Sequence, residues 1–313
     1  MGLVRSPGMA GIRCAPVRSA LAVLAGVAVL VGAAALTGVA AGPAAASSRH
    51  KESSPVDVLY AGSLVTLMQT SLDAAFHRAT GDRVTGIAAG STALASEIKG
   101  GVYRADVFVS AAPKVNQSLE GPHNGNWERW YLEFATSPLE LGYDPQSRFA
   151  PTLRTKPWWR VVTSPGFLLG RTNPATDPKG VLAVKALHAM AIAHHDPALA
   201  ALGTASGNVF PEQTMVGRLQ AGQLDAGFFY AVEAAAAKIP AVPLTGVHEQ
   251  ATYTVSVLAR APHARAAIAF VRFLLGPRGR RILSTHGLRP VTPPKLSGRR
   301  SAVPEGLRAV LRR

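Results

Sequence analysis

One cysteine, Cys14, stands in the 313 residues, and it lies at the wrong end of the chain for most cysteine chemistry. Arg5, Arg13 and Arg18 surround it, an uncharged apolar run follows from about Ser19 to Gly42, and "GPAAASS" then offers small residues near Ala46. A basic start, an apolar middle and a small-residue end read as a secretory signal peptide over residues 1–46. The run is also long enough to span a bilayer, so a retained membrane anchor is the alternative. A lipoprotein cysteine follows its apolar core, whereas Cys14 precedes it. Cleavage near Ala46 removes the cysteine, leaving an exported chain without disulfides, thiol nucleophiles or cysteine-based zinc sites.

Acidic residues are also scarce: 18 Asp and Glu face 33 Lys and Arg, a net charge of +15 that becomes +12 once Arg5, Arg13 and Arg18 are gone. Such a surplus fits an anionic ligand, attraction to an anionic envelope, or an Arg-rich composition without further purpose. It does not fit nucleic acid. Aromatic content is 6%, no aromatic platform interleaves with the basic residues, and the densest arginines, "GPRGRR" (276–281) and "SGRRSAVPEGLRAVLRR" (297–313), fall on a late helix and a tail. Residues 295–313 are expected as a basic C-terminal tail. There is no internal repeat and no phosphate-cradling G-x-x-x-x-G-K-[ST] motif. The serine-hydrolase elbow G-x-S-x-G is absent too, since "YAGSL" and "AAGSTA" lack its flanking glycines.

Core-forming residues are plentiful, at 48% of the chain. Strand and helix patterns alternate, which is the signature of an α/β fold with mostly parallel sheets. Strands are expected at 56–60, 83–88, 106–109, 133–143, 160–164, 167–170, 226–230 and 252–259. Helices are expected at 63–79, 92–100, 113–118, 179–194, 212–221, 231–237, 263–275 and 277–285. The paired His194-His195 before Asp196 reads as a solvated helix end rather than a metal site, and Trp158-Trp159 as a packed pair rather than a sugar platform. The apolar face of 263–275 either packs on the first lobe or docks a permease.

Gly62-Ser63 and Gly90-Ser91 both sit where a strand hands over to a helix. A helix start carries unpaired N–H groups and about half a positive charge, so it is a ready anion site. A serine there caps the helix or turns its hydroxyl to a ligand, and the neighbouring glycine permits close approach. Two further helix starts, "TDPKGVLAVKALHAM" (176–190) and "PEQTMVGRLQAG" (211–222), resemble them, so four could converge on one small anion.

"YAGSL" (60–64), "GSTALASEIKGGVYRADVFVSA" (90–111), "TDPKGVLAVKAL" (176–187), "LQAGQLDAGFFYAVEAA" (219–235) and "AIAFVRFLLGPRGRRILSTHGLRPV" (267–291) together resemble the molybdate- and tungstate-binding proteins of ABC transporters, a family of extracellular solute-binding proteins. The resemblance implies a two-lobed, periplasmic-binding-protein-like fold of type II, each lobe a mostly parallel sheet flanked by helices, joined by two crossover strands. Residues 55–135 and 248–294 would form lobe one and 136–247 lobe two. It implies a molybdate or tungstate oxyanion in the cleft, donors from Ser63, Ser91, Tyr230 and the backbone around Lys179, no cofactor, an ABC permease as partner, and a monomeric exported protein. Asp177 either caps its helix or touches the ligand. Phe229 stands where the tungstate-type branch has a glutamate, so a tetrahedral oxyanion held by neutral donors is expected. The alternatives are another small anion (sulfate, phosphate or an organic acid) or an envelope serine hydrolase using Ser63 or Ser91.

Overall fold

The computed structural model describes residues 55–312, so the expected signal peptide, 1–46, lies outside the described residues. The strands are β1 (Pro55–Ala61), β2 (Arg83–Ala89), β3 (Val107–Ser110), β4 (Trp130–Tyr143), β5 (Leu169–Gly170), β6 (Ala226–Tyr230), β7 (Ala241–Pro243), β8 (Gln250–Val257) and β9 (Arg289–Gly298). The helices are α1 (Asp73–Thr80), α2 (Ser91–Lys99), α3 (Pro113–Gln117), α4 (Ala150–Leu153), α5 (Trp158–Val162) and α6 (Pro178–His194). They continue with α7 (Pro197–Thr204), α8 (Glu212–Gln220), α9 (Ala231–Ala236), α10 (Ala264–Leu275), α11 (Pro277–Thr285) and α12 (Glu305–Arg308).

β4 organises both lobes because its two halves belong to different sheets. Its first half pairs antiparallel with β8 and β9, and β8 carries on to β3, β1 and β2. Its second half, Leu139–Tyr143, pairs antiparallel with β6 and β7, and β6 continues to β5. At the crossing, Ser137 and Pro138 lie opposite Ala251 and Gln250 of β8. Among the named strands, parallel pairing is confined to β1–β2, β1–β3 and β5–β6, and the sheets are mixed rather than mostly parallel. The crossing strands force this, since each must leave one lobe and return from the other. β1 is buried along both faces from Val58 to Ala61, as a sheet covered on both sides requires.

Three expectations from sequence change. The segment 160–164 is not a strand. α5 forms there because Trp158, Val161 and Val162, spaced three and four apart, bury one helical face, and the Trp158 indole donates to the Thr245 carbonyl at 3.0 Å. The helix expected over 63–79 divides into a 3-10 turn at Gly62–Leu64, a π-helical stretch at Leu67–Leu72, and α1. Within it Thr70 Oγ1 donates back to the Thr66 carbonyl at 2.7 Å, a bond that loosens a regular helix. The basic tail is built into the fold. Lys295–Gly298 extend β9 against β4, and Val303 and Leu307 are buried in the cluster that holds Phe270 and Val271 of α10.

Under lobe one lies a buried polar network. The Glu128 carboxylate accepts from the Ser256 hydroxyl and the Asn116 amide, whose oxygen in turn accepts from Thr254. Burial pushes the Glu128 carboxyl up to about 8, against the lowering effect of the Ser256 and Asn116 bonds and with a small push from Glu120. The folded state thus keeps a proton that the unfolded chain loses near the ordinary carboxylate value of 4.5. Its contribution to stability is full below that value and falls as pH rises toward 8, by at most about 1.4 kcal/mol per pH unit. Glu128→Gln should remove that slope: urea unfolding at several pH values between 5 and 8 should give a flatter stability profile than the parent protein.

Candidate functional site

Each lobe-one glycine meets a lobe-two helix start. A Cβ on Gly90 would lie 2.4 Å from the Thr176 carbonyl and 3.1 Å from Asp177 Cβ, so only glycine lets the start of α2 reach the start of α6. The Ala93 amide donates to the same Thr176 carbonyl at 3.1 Å. A Cβ on Gly62 would lie 2.4 Å from Glu212 Oε2, at the start of α8. The cleft between the lobes is closed around these contacts, and a cavity of about 260 Å³ beside it is lined by Ser63, Ala88, Glu212, Gln213 and Glu233.

The structure brings Ser63, Asp177, Lys179 and Tyr230 to one enclosed place and sets Ser91 at its margin. Ser63 Oγ shares a hydrogen bond of 2.9 Å with the Tyr253 hydroxyl, and the Tyr230 ring meets Tyr253 edge to face with centroids 6.1 Å apart. Tyr230 ends β6, is fully buried, and its hydroxyl has no hydrogen-bond partner among the described residues. Ser91 opens α2, and its hydroxyl oxygen accepts from the Ala111 amide at 3.0 Å. Asp177 caps α6, with Oδ1 accepting from the Lys179 amide at 2.9 Å, while its buried Oδ2 has no partner among the described residues. The Lys179 backbone N–H expected as a ligand donor is thereby taken.

The Lys179 side chain enters the cleft instead. Its ammonium is fully buried, 2.9 and 2.7 Å from the two Glu233 oxygens and 3.4 Å from Glu212 Oε1, with the Phe229 and Tyr230 rings 5.6 and 5.8 Å away. Burial alone would lower its pKa, but Glu233, Glu212 and Asp177 outweigh that and raise it, so the ammonium stays charged. Glu212 is pushed well above the usual carboxylate range by burial and by Asp177, against the pull of Lys179, and Glu233 is raised by burial against the same pull. Burial and the surrounding acids also raise the phenols of Tyr230 and Tyr253, which remain donors. The cleft is thus not lined by neutral donors alone, as expected from sequence. Three carboxyl groups surround one ammonium, and Glu212 Oε2 is a further buried oxygen without a partner.

Glu212, Glu233 and Tyr253 are the residues that sequence reasoning passed over. Glu233 carries the one detectable signal: it is the sole charge in the apolar helix "AVEAAA". Phe229, where the resemblance expects a glutamate, packs with Met215 and Leu219 in a separate apolar cluster. Elsewhere, Asp57, Asp106 and His263 place three metal-type ligand atoms within 4.8 Å of one another. Asp106 already accepts from the Asp57 and His263 amides, however, and so secures β1 and the start of α10.

A family model described as bacterial extracellular solute-binding protein matches residues 56–289. A putative ABC transporter molybdenum-binding protein of Haloferax volcanii is 31% identical over 190 residues, covering 60% of this chain and 58% of that protein. Among solved structures, the periplasmic molybdate-binding protein of Azotobacter vinelandii superposes with a TM-score of 0.58 at 20% identity, covering 74% of this chain and 98% of its own. The sulfate-binding protein SubI of Mycobacterium tuberculosis gives 0.61 at 15% identity, covering 76% and 88%. These likenesses place the chain in the two-lobed type II fold.

Removing the ammonium alone strands two buried carboxyl groups. Lys179→Met should cost about 3–5 kcal/mol of stability in denaturant unfolding, and adding Glu212→Gln and Glu233→Gln to it should restore most of that loss. A Lys179→Met protein as stable as its parent would mean that the cluster is solvated.

Proposed function

We propose, for a chain that belongs to the bacterial extracellular solute-binding proteins, that its cleft captures molybdate or tungstate and presents it to an ABC permease as an exported monomer. The observation that carries this reading is the unpaired, fully buried Tyr230 hydroxyl, set beside the Ser63–Tyr253 pair and the Lys179 ammonium. Hydroxyls and an ammonium fixed in a buried cleft hold an oxyanion by charge-assisted hydrogen bonds. The Haloferax and Azotobacter proteins are named for the same class of cargo. A bound oxyanion bridging both lobes stabilises the closed form, a shift in population that a permease reads.

The acids decide the protonation state in which this works. A dianion beside ionised Glu212 is repelled, whereas a protonated Glu212 donates to it. The raised pKa of Glu212 favours that proton over part of the range above the ordinary carboxylate value. Molybdate affinity is therefore expected to fall as pH rises and Glu212 loses its proton, and Glu212→Gln, a permanent donor, should flatten the dependence in a series of calorimetric titrations that starts at the ordinary carboxylate value and runs upward in pH.

Calorimetry with molybdate, tungstate, sulfate and phosphate tests the cargo directly. Tight molybdate or tungstate binding, weakened about tenfold or more by Tyr230→Phe and by Ser63→Ala, is the expected result. Tight phosphate binding with weak molybdate binding would instead assign Asp177 and Glu212 as ionised acceptors for a ligand O–H. Binding of none of the four would end the oxyanion reading.

A further inference from the structure

A second concentration of charge lies away from the cleft, on the outer side of lobe one. The π-helical stretch Leu67–Leu72 and α1 run beside α11, and a groove of about 380 Å³ between them is lined by Arg78, Arg278 and Arg281 together with Ser71, Thr285 and His286. Among the described residues, no acidic one lines it. Ser71 Oγ and His286 Nε2, 2.8 Å apart, tie its two walls together, so the groove has a fixed floor.

The three guanidinium groups are exposed and, among the described residues, none makes a hydrogen bond or ion pair. A chain with 33 basic and 18 acidic residues leaves many arginines unpaired, so lack of a partner alone means little. Their placement says more. α11 has no acid in its first turn, and Arg278 and Arg281 stand within its first five residues, where the helix dipole is positive. Cations are disfavoured at that end and favoured at the other, so these arginines do not serve the helix that carries them. Arg78, near the end of α1, complements its own helix but faces the same groove. Three like charges line one concave surface, and guanidinium groups match the oxygens of a phosphoryl group, which arginine engages with two parallel N–H bonds.

We propose that the groove between α1 and α11 is a binding site for a phosphate-class group, held by Arg78, Arg278 and Arg281 and independent of the interlobe cleft. The group belongs either to a soluble phosphate compound or to a lipid headgroup, and the two sources separate experimentally.

The test uses the full chain carrying Ser63→Ala and Ser91→Ala, so that anion binding in the cleft is suppressed. In one arm inorganic phosphate and pyrophosphate are titrated calorimetrically. In the other, flotation is measured with phosphatidylcholine vesicles containing phosphatidic acid and read as the excess over pure phosphatidylcholine, so that the apolar N-terminal run contributes equally to both. Arg78→Ala/Arg278→Ala/Arg281→Ala is compared with Lys295→Ala/Arg299→Ala/Arg300→Ala, which removes the same charge elsewhere. At least a tenfold loss of affinity in the groove variant, against less than twofold in the control, is expected in one arm or both: the phosphate arm alone identifies a soluble ligand, and a response of the vesicle arm identifies a headgroup. Binding in neither arm, or equal loss in the two charge-matched variants, overturns the proposal.

Discussion

A fully buried lysine ammonium must be met by carboxylates, and the placement of Lys179 imposes that requirement on three helices at once. Its own backbone is fixed by the Asp177 cap on α6, its ammonium rests on Glu233 of α9, and Glu212 reaches it from the start of α8. Glu212 in turn lies where a side chain on residue 62 would meet it, so glycine there lets lobe one approach without displacing that carboxyl group. Desolvating these groups costs several kcal/mol per ion, and their attraction offsets it only when the geometry is tight. Such a cluster favours one arrangement of α6, α8 and α9 over neighbouring ones. It also explains why the donors around it, Tyr230 and Tyr253, hold their protons.

The two glycines divide the work of closure unequally. Opposite Gly62 is the end of a flexible glutamate side chain, which can swing away. Opposite Gly90 is the Thr176 main chain, which cannot without moving the start of α6. Register between the lobes is thus set mainly at Gly90, where the Ala93 amide and Thr176 carbonyl also meet, while the Gly62 side has the freedom to adapt. Ser91 contributes through position: its hydroxyl anchors α2 to the end of β3 while the helix start faces the other lobe.

Much of this was legible in the sequence. Strand-to-helix punctuation marked Ser63 and Ser91, and Asp177-Pro178-Lys179 announced a capped helix start; local chemistry suffices for such features. The fold class followed from alternating periodicity and from the motif set. What escaped is what arises between distant segments. No spacing rule links Lys179 to Glu212 and Glu233, or Ser63 to Tyr253, because each set joins segments far apart along the chain and its distances exist only once that lobe has folded. The segment 160–164 failed for a related reason: its β-branched residues favour a strand locally, but Trp158 needed a buried seat and its indole a partner. The same holds for the C-terminal residues, whose many arginines obscured Val303 and Leu307.

β4 gives the molecule a mechanical character of its own. Because one unbroken strand is shared by both sheets and β8 is laced to it through the crossing, the lobes are connected by a two-stranded ribbon rather than by slack linkers. A ribbon of that kind resists stretching and shear but yields to bending and twist, most easily at Pro138, which has no N–H to give to the ladder. Relative motion of the lobes is thereby reduced to roughly a single angular coordinate. Shared strands also link their fates: neither sheet keeps a complete edge without the other, so the described fold should lose its order in one cooperative step rather than lobe by lobe.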